Sequence, residues 1–206
     1  MSVYIEKIIN RPVDSNCFVI YSRVNERCII VDPGTKDCKE LVIFLESNRL
    51  CPEYIILTHE HFDHIWGVNK LKDLYGSKII CSALCSDKIT NAKKNLSLFY
   101  DQVGFEVYPA DITIEAINNT LKWDDITINF INTKGHSDGS ISFFFDDNLF
   151  VGDLIIKGYK TITKLPGGNK DQSKESMRCI FSNFIPSKTV VYSGHGDIFT
   201  LDQIQE

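Results

Sequence analysis

Three histidines and an aspartate stand within the stretch Thr58-His59-Glu60-His61-Phe62-Asp63-His64. Imidazole and carboxylate together suit zinc, iron or manganese. The stretch follows the apolar run Tyr54-Ile55-Ile56-Leu57, which reads as a buried strand. At an extended strand end, residues two apart point the same way, so His59 and His61 can face one metal while Glu60 and Phe62 face away. Asp63 and His64 lie just past a bend, before a helical pattern, and supply a neighbouring position. The spacing offers two imidazoles to one ion, and an imidazole with a carboxylate to a second.

The chain has five histidines, and the other two fall in comparable places. His136 sits in Gly135-His136-Ser137 after the strand-like residues 126–131, and His195 in Gly194-His195-Gly196 after residues 189–192. Between them, Val151-Gly152-Asp153 puts an acid at the end of the apolar run 148–151. Each is at a strand end beside a glycine or a turn. Loops on the rim of a rigid sheet are where reactive groups usually converge.

These residues need a scaffold that gathers them. A chain of 206 residues with 43% hydrophobic content predicts one globular domain, 1–206, with a sizeable core. Residues 4–8, 16–21 and 28–31 read as a strand meander with a polar turn at 23–27, and Asp32-Pro33-Gly34 ends the third strand. Leu41, Val42, Phe44 and Leu45 recur at helical spacing within 36–48. Residues 65–75 form a helix with Val68, Leu71 and Leu74 on one face, closed by Gly76. A short strand at 78–81 follows, then a partly helical segment at 82–102. Strand patterns lie around Thr113 and at 120–122 and 126–131, and a hairpin joins 141–145 to 148–151 through Asp146-Asp147. Residues 171–184 form a last helix, before the strand 189–192.

The formal net charge of −5 gives no support to a nucleic-acid or membrane surface. No apolar run reaches the ~20 residues that span a bilayer. The start, Met1-Ser2-Val3-Tyr4-Ile5-Glu6-Lys7, has no basic n-region and reads as a first strand, so a cytoplasmic protein is expected. Seven cysteines, an odd count, argue against a complete disulfide framework and for reduced thiols. Cys17, Cys28 and Cys179 read as small core residues, and Cys81 and Cys85 stack if helical.

The series H-x-H-x-D-H, G-H-S, G-D and G-H-G resembles the metallo-β-lactamase superfamily, and within it the short glyoxalase II-type hydrolases. Asn16-Cys17-Phe18, Val31-Asp32-Pro33-Gly34 and Leu165-Pro166-Gly167-Gly168 resemble further parts of that family. The resemblance implies an α/β (α+β) four-layer αββα sandwich. Carried over position by position, it implies a first metal on His59, His61 and His136, and a second on Asp63, His64 and His195. Asp153 bridges them. It implies two divalent ions, zinc foremost with iron or manganese as alternatives, and a hydroxide shared between them as nucleophile. Asp63 then orients the hydroxide and receives its proton, while Asp32 lies beneath and holds the metal-bearing loop. With all five histidines engaged, no Ser/His/Asp triad is available.

The implied reaction is thioester hydrolysis of the hydroxyacylglutathione type. The alternatives are a mononuclear iron persulfide dioxygenase on His59, His136 and Asp153, or a lactonase or β-lactamase-type hydrolase. The expected partner is a small-molecule acyl substrate, an anionic thiol ester. Lys157, Lys160, Lys164 and Lys170 would attract its tail or are ordinary surface charge, and Lys93, Lys94 and Tyr100 would border the site or form a solvated face. Thr161-Ile162 and Lys164 stand where such relatives carry Gly-Arg and aspartate, and Ser137-Asp138 where they carry Thr-Pro. The helical domain that binds glutathione in full-length glyoxalase II has no counterpart in this sequence, so glutathione recognition is inferred from the resemblance alone.

Overall fold

The computed structural model describes residues 3–115 and 119–204; Met1 and Ser2, assigned above to the first strand, lie outside them. The chain divides into two compact units, Met1–Thr113 and Ile114–Glu206. Each is built on one six-stranded sheet.

In the first unit the strands run in sequence order across the sheet: β1 (Val3–Ile9), β2 (Asn16–Ser22), β3 (Arg27–Val31), β4 (Cys51–Ile56), β5 (Lys78–Ser82) and β6 (Ile112–Ile114). β1 to β3 form an antiparallel meander, whereas β3, β4 and β5 pair in parallel. Parallel neighbours need a crossover, supplied by helices. The first is α1 (Lys39–Ser47), which buries Leu41 and Leu45. It starts later than periodicity predicts, because Cys38 adopts a left-handed conformation at φ 51°. The helix expected over 65–75 is two pieces, α2 (Phe62–Ile65) and α3 (Val68–Tyr75). They part at Gly67, whose N–H is drawn off to the Pro33 carbonyl at 2.7 Å. Leu74 is exposed and Tyr75 packs on the core in its place. The segment after β5 holds α4 (Ala83–Ile89), capped by the Ser82 hydroxyl, and α5 (Ser97–Asp101).

The second unit is ordered β12-β11-β10-β9-β8-β7. β7 (Thr120–Trp123), β8 (Ile126–Asn132), β9 (Ile141–Phe145) and β10 (Asn148–Gly152) run antiparallel. The β9–β10 turn places Asp146 at φ 49°, a left-handed conformation that aspartate tolerates. α6 (Lys170–Asn183), whose Asn169 side chain caps its first amides, carries the chain back to β11 (Val190–Ser193), parallel to β10. β12 (Phe199–Thr200) was not legible as a strand. Cys17 and Cys28 are buried, but Cys179, read above as core, is exposed on α6: with Ile180 inward, its neighbour in the helical turn faces water.

Among the described residues no helix is long and apolar enough to cross a membrane.

Candidate metal centre

Pairing geometry explains why the donor residues of each unit gather at one sheet edge. In the first unit Val31 pairs with Ile56 in parallel, so Asp32 and the stretch beginning at Leu57 leave the sheet side by side. Ile9 pairs with Asn16, and Phe18 with Val31, which brings the Asn10–Ser15 turn to the same edge. Asn10 donates to the Asp32 carbonyl at 3.0 Å and to Ser15 Oγ at 2.8 Å, and the Ser15 hydroxyl donates to the Asp63 carbonyl. Gly34 lies so close to that backbone that a Cβ there would sit 1.6 Å from the Asp63 oxygen. Only glycine fits this contact.

Asp32 organises the histidines of this unit. It is 1% exposed and sits at φ 50°. Its Oδ1 accepts from the Thr58 amide at 2.8 Å, and its Oδ2 accepts from the Thr58 hydroxyl at 2.6 Å. Having given its one proton to Asp32, that hydroxyl accepts from His59 Nδ1 at 3.0 Å. His64 Nδ1 donates to Asp32 Oδ2 at 3.1 Å. One carboxylate therefore places the proton of both imidazoles on Nδ1 and turns the Nε2 lone pairs toward a ligand-binding role. The His59 ring lies 4.6 Å from that of His61 and 4.3 Å from that of His64. Asp63 and His64 are not beyond a bend but inside α2, with the His64 amide bonded to the His61 carbonyl at 3.0 Å. That turn sets His64 Nε2 3.6 Å from Asp63 Oδ2.

In the second unit Gly152 pairs with Ser193 in parallel, so Asp153 and His195 emerge together. The Gly194 amide bonds to the Gly152 carbonyl at 2.7 Å and ties the two exits. The β8–β9 connection, with Asn132 paired to Ile141, carries His136 to the same edge. Gly135 has φ 138° and a Cβ there would strike the Ser173 backbone at 2.3 Å, so no other residue fits under the start of α6. His136 Nδ1 donates to the Ile162 carbonyl at 2.8 Å, which fixes the same tautomer by a backbone acceptor. Asp153 Oδ2 lies 3.5 Å from His136 Nε2 and 3.4 Å from His195 Nε2.

The donor set fits metal ions. Separations of 3.4–3.6 Å are too long for good hydrogen bonds. They match the edge of a coordination tetrahedron with ligands at about 2.1 Å, which is about 3.4 Å. Neighbouring thiols do not compete. Burial pushes the Cys17 and Cys85 thiols well up, helped at Cys17 by Cys38 and Asp32 and at Cys85 by Cys81, Glu60 and Asp32.

Several supporting residues carried no sequence signal. Asn10, Ser15 and the Ile162 carbonyl act through contacts that only the fold creates. Glu60 is fully buried and ion-paired to Lys88 at 2.8 Å, bracing the chain between two histidines from α4; a charged residue inside a buried stretch was the available hint. Lys94 pairs with exposed Asp87, and Lys157 donates to Gln203. Ser137 closes its own turn by accepting from the Gly139 amide at 2.9 Å.

Comparison with known proteins places this arrangement. A family model described as the metallo-beta-lactamase superfamily matches residues 10–195. A probable metallo-hydrolase of Bacillus subtilis, YqgX, is 29% identical over 187 residues, covering 90% of this chain and 86% of its own. Hydroxyacylglutathione hydrolase 1 of Vibrio vulnificus is 28% identical over 94% of this chain and 66% of its own length. The crystal structure of the B3 metallo-beta-lactamase BLEG-1 superposes with a TM-score of 0.87 at 28% identity, covering 97% of this chain and 95% of that one.

Proposed function

The chain belongs to the metallo-β-lactamase superfamily, with its αββα sandwich fold, and from that premise we propose that it hydrolyses thioesters of small acyl groups at a two-metal centre. The superfamily consists of metal-dependent hydrolases that bind metal ions, typically two. The family model runs unbroken through both compact units, which supports reading them as one domain. In this reading His59, His61 and His136 would hold one ion and Asp63, His64 and His195 the other, and Asp153 would serve both. The observation that carries it is the single Asp153 oxygen, Oδ2, lying at nearly equal distance from His136 and His195 Nε2. One carboxylate oxygen flanked by two imidazoles of different ligand sets is suited to a bridging role.

The ions, when bound, supply Lewis acidity toward the acyl carbonyl and an acidified water. The chain does the rest. Asp32, Thr58 and the Ile162 carbonyl hold the imidazoles in the Nδ1–H tautomer. Asp63, partly open to solvent, orients the attacking water and accepts its proton. Water adds to the acyl carbon, the C–S bond breaks, and an acid and a thiol leave. A thiol of pKa about 8.5 departs without a strong general acid, which suits a site whose five histidines are all assigned to metal.

Similarity to the Vibrio hydroxyacylglutathione hydrolase supports the thioester class. The BLEG-1 likeness, at the same 28% identity, favours a β-lactam as the second reading. Zinc is the proposed metal, the substrate an anionic thiol ester and the location cytoplasmic. The test is metal analysis with a panel of thioesters, lactones, β-lactams and persulfides. We expect about two equivalents of metal per chain and the highest kcat/KM on a thioester. One tightly bound iron with persulfide-dependent oxygen uptake would overturn the reading.

A further inference from the structure

Phe62 interrupts the donor residues: it stands between His61 and Asp63, opens α2 and is half-buried. Its ring stacks on Tyr100 of α5 at 4.5 Å and 28°. Trp66 meets Phe62 edge-on at 6.0 Å and Tyr100 edge-on at 5.8 Å, and lies flat on Phe105 at 5.1 Å and 8°. Four rings form one continuous cluster rooted in the donor stretch itself.

The cluster is not closed over as core packing would be. Tyr100 is 45% exposed and its neighbour Phe99 65%. Scattered apolar residues on a surface are ordinary, but contiguous aromatic surface beside a reactive centre marks a contact site. The segment is also held in shape. Asn95 and Ser97 both donate to the Phe105 carbonyl, at 2.8 and 3.2 Å, and the Phe105 amide returns a bond to Ser97 Oγ at 2.9 Å.

We propose that Phe62, Trp66 and Tyr100 form the acyl-binding wall, with exposed Phe99 next to Tyr100 on α5 extending it, selecting thioesters whose acyl group is aromatic or a long alkyl chain over acetyl esters. This rests on the thioesterase reading above. Phe62 stands between His61 and Asp63 in the chain, so the ring cluster begins within the stretch that would hold the acyl carbonyl. The groups attached to that carbonyl are the acyl chain and the thiol. An anionic thiol needs cationic or hydrogen-bonding partners, of which the rings themselves carry the Tyr100 hydroxyl and the Trp66 indole N–H, with Lys36 5.9 Å from the Trp66 ring centre. An acyl chain needs apolar surface, which is what they offer.

The experiment uses the metal-loaded full chain and a series of thioesters of one thiol bearing acetyl, hexanoyl and phenylacetyl groups. Wild type is expected to favour phenylacetyl over acetyl by about tenfold or more in kcat/KM. In Tyr100→Ala that ratio falls about tenfold, in Tyr100→Phe it is kept, and in exposed Phe99→Ala it falls less. Binding is read separately by quenching of Trp66 fluorescence with a non-hydrolysable phenylacetyl ketone analogue. Trp123, the second tryptophan, is buried on β7, and Trp66→Phe should remove the signal. A ratio near one in wild type, or one that survives both alanine variants, overturns the wall while leaving the thioesterase. Tyr100-dependent quenching without thioester hydrolysis supports the wall and overturns the thioesterase. Neither hydrolysis nor quenching overturns both.

Discussion

The first unit draws its candidate donors from one short stretch, His59 to His64, after a single strand, whereas the second draws His136, Asp153 and His195 from three separate strand ends. The support differs in the same way. Asp32, a side chain, sets the tautomers of His59 and His64, while a backbone carbonyl, that of Ile162, sets His136. A compact donor stretch exposes its logic in sequence and its support to mutation. A dispersed set hides the first in strand pairing and shields the second from side-chain change.

The comparison can be broken most sharply at the two aspartates. Asp63→Asn should lower kcat by about 10²–10⁴ while metal at the His59–His61 position is kept, because the amide coordinates weakly but accepts no proton. Asp153→Ala should lose metal along with activity, since the proposed reading has its oxygen serve both ions. Kinetics with elemental analysis on both proteins separates the roles; near wild-type turnover of Asp63→Asn removes its assignment.

The brace on the compact stretch gives the next effect. Lys88→Met removes the ion-pair partner of buried Glu60, and should lower unfolding free energy in urea by about 3 kcal/mol. Lys94→Met, breaking an exposed pair with Asp87, should cost at most about 1 kcal/mol. Equal losses would show that Glu60 is not held in the way described.

Smaller still is the difference in histidine support. Asp32→Asn should weaken metal binding about 10–100-fold in competition with a chelator. Ile162→Ala keeps the carbonyl and should stay within about twofold. A large effect of Ile162→Ala would mean that its side chain, not its backbone, carries the contact.

The smallest effect is chemical. Cys51 and Cys179 are exposed, whereas burial raises the Cys17, Cys28 and Cys85 thiols well above the ordinary range and Cys38 to about 12. An alkylating reagent at neutral pH should mark Cys51 and Cys179 by mass spectrometry and reach the others only on unfolding. Modification of Cys17 or Cys85 in folded protein would contradict the packing.

The same contrast explains what was legible from residues alone. The alternation and apolar runs of β2, β3, β9 and β10 are local, so their positions could be read directly. The break at Gly67 depends on a hydrogen bond to Pro33, more than thirty residues away in sequence, which no window over 65–75 contains. The exposure of Cys179 follows from which face of α6 turns inward, and Ile180 decides that. His59 to His64 marked a candidate metal site by spacing, and His136, Asp153 and His195 by their glycines and strand ends. Asn10, Ser15 and Ile162 announced nothing, because their roles rest on strand register and on a backbone atom that every residue possesses.

The most direct measurement of the two-metal hydrolase is thiol release from an S-acyl thioester under nitrogen, by metal-loaded wild type and by His195→Ala. Wild type should release thiol without oxygen, and His195→Ala, stripped of a residue assigned only to the second ion, should lose most of that release. Activity that requires oxygen and survives His195→Ala on a single iron would contradict the account.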